Sequence, residues 1–299
     1  MKMILFTYVY PNKRFPEWGS FIENHVREWI SMGIDVDVIA PKSLTKSLIM
    51  IFKKKHQFEI AGNSIDRPWF LSFSSKNIGS FSFSKLTSIS ISKAFNRAIK
   101  RSNTPDIYIG KFLFPGGEVA LQAGLMNRRK AYADLGESDS FSELNFSDFE
   151  EARKIIQSLD GVFCVSPRLV NEAIKLGANS DNILYAPNTV NTNLFRPLNK
   201  VICRNKLNLP NDIFIVIFVG HFIERKGPLR VLEAIDSLNI PVKGVFLGQG
   251  SQEPIGQNVI FSGSVQNRKL PEWLNAADVF VLPTLSEGNC NAINEAMAC

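Results

Sequence analysis

Two glutamates carry the first chemical signal in this chain. Glu287 and Glu295 stand eight residues apart in Ser286–Cys299, which reads SEGNCNAINEAMAC. The preceding run, Asp278–Val281 into Leu282-Pro283-Thr284, reads as a buried strand. Gly288 and Asn289 make a tight loop, and an alanine-rich helix follows from about Asn291. The spacing predicts Glu287 in the loop and Glu295 on the helix. A carboxylate then lies at the carboxyl end of a strand, beside a helix N-terminus with free N–H groups. Open α/β sheets bind ligands in that crevice. A carboxylate there can accept hydrogen bonds from two neighbouring hydroxyls. Two acids at this spacing, taken alone, fit a solvated helix as well. A second signal is Gly220–Gly227, GHFIERKG, between an apolar strand at Ile213–Val219 and a helix at Pro228–Leu238. His221, Arg225 and Lys226 suit a place where negative charge develops on a leaving group. The third is Leu135–Asp139, LGESD, directly after a strand at Ala131–Asp134.

Together these stretches resemble the retaining GT-B glycosyltransferases of family 4, the glycosyl transferases group 1. Asp278–Cys299 is similar to that family's Glu-x7-Glu signature. The family's first glutamate faces the donor sugar and its second holds the nucleotide ribose hydroxyls, roles that the resemblance gives to Glu287 and Glu295, with Gly288 and Asn289 in the donor-binding loop. Gly220–Gly227 resembles the GRxxxxKG loop, in which an arginine and a lysine clamp the diphosphate. Lys226 and Gly227 match; His221 stands where the family has arginine. Either Arg225 supplies the missing cation or His221 donates a hydrogen bond. Gly19, closing the loop after the first strand, matches a glycine that lets the backbone approach the donor diphosphate. The Gly263-Ser264-Val265 turn matches one that contacts the nucleotide base, at Val265. Many members carry a His-Gly pair where this chain has Gly136 and Glu137. Glu137 or Asp139 then takes the histidine's place beside the sugar, or these acids only cap a turn. Pro187–Pro197, PNTVNTNLFRP, resembles the interdomain stretch PNGVDxxxFxP, with Thr189 for the usual glycine.

The resemblance covers essentially the whole chain and implies an α/β architecture of two Rossmann-like, doubly wound domains facing a cleft. Residues 1–197 form the acceptor side and 198–299 the nucleotide-sugar-binding side. It implies transfer of a hexose-type sugar from a nucleotide diphosphosugar, with retention and without a metal or other cofactor. The acceptor would be a glycan or lipid-linked, in cell-surface polysaccharide or glycolipid synthesis. In the family, Gly-x-Pro and another strand follow the second glutamate's helix. The expectation is therefore that the second domain is incomplete and this 299-residue chain inactive as it stands.

The positioning elements are legible in order. Lys2–Tyr10 reads as strand one, and Ser20-Phe21-Ile22-Glu23 as a capping box opening a helix that stops at Gly33. Ile34–Ala40 alternates as strand two. Only one glycine sits in the first loop, so the dinucleotide fingerprint G-x-G-x-x-G is missing, against a nicotinamide enzyme. A helix is expected over Ser92–Arg101, a strand over Asp106–Gly110, a loop over Lys111–Gly117 and a helix over Glu118–Met126. Ser147-Asp148-Phe149-Glu150 reads as a second capping box. Gly161–Val165 is a strand. Ser166-Pro167 is an N-cap with proline at N1, and its helix stops at Gly177. Ile183–Ala186 ends the first half, and Leu198–Asp212 has a linker's composition. Strands at Val242–Leu247 and Val259–Ser262 and a helix at Lys269–Ala276 complete the second.

Composition bounds the rest. The 299 residues suit about two domains. Four cysteines without C-x-x-C spacing and three scattered histidines offer neither a disulfide framework nor a zinc site, as in reduced, cytoplasmic usage. No apolar run approaches the roughly 18 residues of a membrane span. Between Pro41 and Arg101 stand 12 lysines and arginines against 2 acids. Within that segment Leu44–Lys55 places Leu44, Leu48, Ile51 and Phe52 on one helical face and ends in three lysines. It fits a helix lying on anionic lipid, peripheral at the inner face of the membrane, and fits a half-buried helix as well. A same-fold synthase or epimerase with a soluble phosphosugar, and a non-catalytic sugar-nucleotide binding module, are the alternatives. A nucleic-acid binder finds no RNA-module motif here.

Overall fold

The computed structural model describes residues 1–12, 19–44, 65–73, 77–78, 81–144 and 146–299. Nearly all of the lysine-rich Leu44–Lys55 stretch, and Glu17-Trp18, lie outside them. The chain forms two compact units, Met1–Pro187 and Asn188–Cys299. That division falls ten residues before Leu198, because Val190, Leu194 and Phe195 already pack into the second unit's core.

The first unit is a 7-stranded sheet. Its strands are β1 (Lys2–Phe6), β2 (Asp35–Ile39), β3 (Ile65–Asp66), β4 (Ile107–Lys111), β5 (Lys130–Leu135), β6 (Gly161–Cys164) and β7 (Ile183–Tyr185). The spatial order is β7-β6-β5-β4-β1-β2-β3 and every pairing is parallel. This is the doubly wound order, with its switch point between β1 and β4. Both faces of β1 are buried. Met3 and Leu5 pack towards α1 (Ser20–Ser31) with Ile22 and Val26. Ile4 and Phe6 pack towards α2 (Phe83–Ile99) and α3 (Glu118–Asn127) with Phe95 and Val119. Continuous apolar strands are what two-sided burial requires. Helix α2 begins nine residues before the expected Ser92, its buried face carrying Ile91, Ala94, Phe95, Ala98 and Ile99 through a serine-rich sequence. Helices α4 (Phe146–Ser158) and α5 (Pro167–Lys175) close the unit.

The second unit repeats the plan in a 4-stranded parallel sheet, β10-β9-β8-β11. Its strands are β8 (Phe214–Val219), β9 (Val242–Leu247), β10 (Val259–Gly263) and β11 (Val279–Phe280). Its helices are α6 (Lys200–Leu207), α7 (Pro228–Asp236), α8 (Leu270–Ala276) and α9 (Asn291–Ala298). Ile215 and Ile217 face the α6 and α8 side, while Val216 and Phe218 face α7. The switch point here lies between β8 and β11.

Three expectations change, and one sequence motif is placed. Ser20 does not cap α1; Gly19 does, with φ 81° and no side-chain bond. A Cβ on Gly19 would stand 2.8 Å from the Val9 carbonyl oxygen, so close packing and a left-handed backbone together require glycine. Helix α4 starts at Phe146, which puts Ser147 inside it. The stretch with a linker's composition contains α6, capped by Asn199 Oδ1 accepting from Ile202 N at 3.1 Å. Asp35-Val36-Asp37 is an Asp-x-Asp sequence, but it lies in β2 with its carboxylates 3.8 and 3.0 Å from Lys2 Nζ.

The Ser166 cap stands as expected, Oγ accepting from Leu169 N at 3.4 Å with Pro167 at N1. Ser166→Ala is expected to cost about 1 kcal/mol. The urea midpoint should fall without a change in slope, and an unchanged midpoint would remove the cap's role.

Candidate functional site

The loops after β8 and β11 meet because the switch-point order makes these strands neighbours. After β8 the chain turns through Ile223–Gly227 and enters α7 with Gly227 at φ 73° and Pro228 at N1. That turn brings Arg225 and Lys226 to the helix start. After β11, Leu285 N donates to Arg225 O at 2.9 Å, and Arg230 donates to Pro283 O at 3.1 Å. Two distant loops are thereby bonded backbone to backbone.

On that frame Glu287 accepts from Lys226 Nζ at 2.5 Å, Thr284 Oγ1 at 2.7 Å and Arg225 at 3.4 Å, all at Oε1. Arg225 also donates to Ser286 O at 2.5 Å. The Lys226 and Glu287 side chains are 12% and 18% exposed, so water screens this pair little. The arrangement is a carboxylate under two cations at the carboxyl ends of adjacent parallel strands. It can hold an anion on the cations and polyol hydroxyls on the carboxylate.

Strand β11 is anchored from below by an ion cluster that the sequence reading missed. Arg204, 3% exposed, donates to Ala276, Pro210, Asn211 and Ile213 carbonyls and to Asp278 Oδ2 at 2.6 Å. Burial works to raise the Asp278 carboxyl. Lys200, Ile215 N–H and Arg204 outweigh it and hold it below the usual range. No local pattern marks Arg204, because its partners lie up to 74 residues away.

Glu295 lies on α9 and its carboxyl is pushed up to about 7 by burial, against a hydrogen bond from Asn267. Gly288 is buried, and Asn289 accepts from the Asn188 and Asn294 side-chain amides. His221 is exposed, its carbonyl accepting from Ile223 N at 2.9 Å. Val265 packs on the core at the end of β10. Lys226, Arg225 and Glu287 are thus brought together, with Thr284 as an addition.

Gly19 and Glu137 belong to the first unit. Glu137 points inward: Oε1 accepts from Leu113 N at 2.6 Å, under the turn Phe112–Gly117, and Oε2 is buried without a partner among the described residues. Its carboxyl is pushed up to about 7 by burial and by Asp134, against the Leu113 N–H and Lys111. Lys111, 3% exposed, pairs with Asp134 at 2.6 Å beside the Phe21 and Phe112 rings. Burial and then the Lys111 charge lower the pKa of His25. Among the described residues no three His, Cys, Asp or Glu side chains could hold a metal, and no helix is long and apolar enough to cross a membrane.

Residues 213–299 match the family described as glycosyl transferases group 1. Over its whole length the chain is 28% identical to 79% of TuaC of Bacillus subtilis, a protein named for teichuronic acid biosynthesis as a glycosyltransferase. Among solved structures, sucrose-phosphate synthase from Thermosynechococcus elongatus superposes with TM-score 0.71 at 18% identity, over all of this chain and 79% of that one. HepE of Anabaena, solved with UDP-glucose, gives 0.69 at 13%, over all of this chain and 78% of that one. The likeness to these structures is one of fold, α/β with parallel sheets of the GT-B type.

Proposed function

We infer that this chain, whose residues 213–299 match the glycosyl transferases group 1 family, transfers a sugar from a nucleotide diphosphosugar to a glycan or lipid-linked acceptor, with retention at the anomeric carbon. The observation that carries this reading is the convergence of Lys226 and Arg225 on Glu287 at the switch point of the second sheet. As the bond from sugar to diphosphate breaks, charge grows on the leaving diphosphate, and Lys226 and Arg225 stabilise it there. Glu287 orients the sugar through its hydroxyls. Glu295 holds the ribose hydroxyls from the second turn of α9. The half-buried Glu295 carboxyl, pushed up to about 7, is partly protonated at neutrality and in that form donates as well as accepts. Gly288, Asn289 and Val265 shape the donor loop and the turn beside the base. The two side-chain cations stand at the diphosphate in this reading, and no metal takes part.

Gly19 keeps in this reading the role of letting the backbone approach a diphosphate, and Glu137 is the first unit's other contribution. Glu137 acts there through the Phe112–Gly117 turn that it bonds. Cell-surface polysaccharide synthesis at the inner face of the membrane is the setting we propose. The name of the Bacillus subtilis relative and the basic segment Pro41–Arg101 support it.

A panel of UDP- and GDP-sugars, scored by nucleoside diphosphate release, tests the reading. Binding of a donor without release under any acceptor would favour a binding module instead. The two glutamates should divide the work. Glu295→Ala is expected to weaken bare UDP binding about tenfold, roughly 1.4 kcal/mol. Glu287→Ala should leave UDP affinity near wild type and slow sugar transfer. Calorimetry that finds the nucleotide lost in Glu287→Ala and kept in Glu295→Ala would reverse the roles.

A further inference from the structure

We infer that Asn188 is a positioning residue for the donor loop, its amide holding the backbone between Glu287 and α9 in the geometry that sugar transfer needs. The inference rests on the functional reading above. The loop Ser286–Cys290 has no regular structure, so side-chain bonds must fix its course. Its first end is held at Glu287 by Lys226, Arg225 and Thr284. At its second end the usual device is missing, because Cys290, the N-cap of α9, makes no side-chain capping bond.

Three asparagines from three parts of the chain take that place. Asn188 Nδ2 donates to Asn289 O at 3.2 Å, across 101 residues of sequence. Asn294 Nδ2 donates back to Asn188 O at 3.0 Å and to Asn289 Oδ1 at 3.1 Å. The node therefore binds the loop, the second turn of α9 and the segment that enters the second unit. Asn188 Oδ1 is buried with no partner among the described residues. Only the Nδ2 donation orients this amide, and a side chain without a donor there cannot hold Asn289 O. Because Asn289 stands two residues from Glu287, a shift in its backbone displaces the carboxylate against Lys226. A misplacement on the order of 1 Å costs roughly a hundredfold in rate.

The test compares wild type, Asn188→Ala and Asn188→Asp as full chains, using the best donor of the sugar-nucleotide panel and bare UDP. Asn188→Ala is expected to lower kcat about 10- to 100-fold, with UDP affinity within about threefold of wild type. Asn188→Asp places an acceptor-only carboxylate against Asn289 O at pH 8. As that carboxyl is protonated on acidification it regains an O–H donor. Its activity relative to wild type should therefore rise between pH 8 and pH 5. A flat ratio, wild-type kcat in both variants, or parallel loss of kcat and UDP binding would overturn the inference. Absence of both UDP binding and turnover in wild type strikes the glycosyltransfer reading itself, and this inference falls with it. Turnover by wild type with unchanged variants strikes Asn188 alone.

Discussion

Lys226→Ala is expected to lower kcat by about 30- to 1,000-fold, the equivalent of roughly 2–4 kcal/mol of transition-state stabilisation. Lys226 Nζ lies 2.5 Å from Glu287 in a partly desolvated pair, at the start of a helix whose free N–H groups already favour an anion. In the proposed reaction a diphosphate entering there competes with Glu287 for the ammonium. The interaction strengthens as the sugar bond breaks and the leaving group gains charge. Removal should therefore act on kcat more than on KM for the donor. Arg225 and Thr284 still bond Glu287 in the variant, so the loop keeps two of its three anchors. Lys206→Ala is the control, since Lys206 is 60% exposed and makes only a 3.5 Å surface pair with Glu272. Turnover within twofold of wild type in Lys226→Ala would remove the clamp assignment.

Glu137→Gln should make the protein more stable than wild type above pH 7 and equal to it near pH 4.5. The Glu137 carboxyl is pushed up to about 7 in the folded chain, first by burial and then by Asp134, with the Leu113 N–H and Lys111 opposing. Below about pH 4.5 both folded and unfolded states hold the proton, and the group contributes nothing. Between about 4.5 and 7 the unfolded chain has released a proton that the folded chain retains. Stability therefore falls as pH rises through this window. Above about 7 the full penalty is present, on the order of 2–4 kcal/mol at about 1.4 kcal/mol per pH unit. Glutamine keeps an acceptor for Leu113 N and does not titrate. Glu295 is raised as well, but it is common to both proteins and cancels in the comparison. The urea midpoints of the two should separate between pH 5 and pH 7 and stay apart by a constant margin at pH 8. Parallel profiles would show that the folded chain does not hold this carboxyl protonated.

Much of the organisation was legible because it is local. The apolar runs at β1 and β8 announce strands buried on two faces. Gly227-Pro228 announces a helix start, since proline tolerates only the first turn and glycine the positive φ before it. Ser166-Pro167 announces its cap for the same kind of reason. The two capping boxes misled, because Ser-x-x-Glu spacing recurs inside a helix. Which residue leaves helical geometry depends on what it packs against, and Gly19 is chosen by its contact with Val9. Helix α6 was missed because its inward residues are Cys203 and Arg204, and Arg204 is buried only through partners elsewhere in the chain.

What the sequence by itself determined is therefore the set of elements, the residue types at their ends and the candidate groups Lys226, Arg225, Glu287 and Glu295. Periodicity and turn chemistry act over a few residues and are written in order along the chain. The tertiary structure alone decided which ends meet. Strand β8 takes β11 as its neighbour, which closes the 61 residues between Lys226 and Glu287 to a 2.5 Å contact. It also decided the electrostatics. Glu137 and Glu295 are pushed up to about 7 because segments distant in sequence exclude water from them. Asn188 meets Asn289 for the same reason: partner choice minimises buried polar groups and exposed apolar surface over the whole unit at once, and no local pattern encodes that balance.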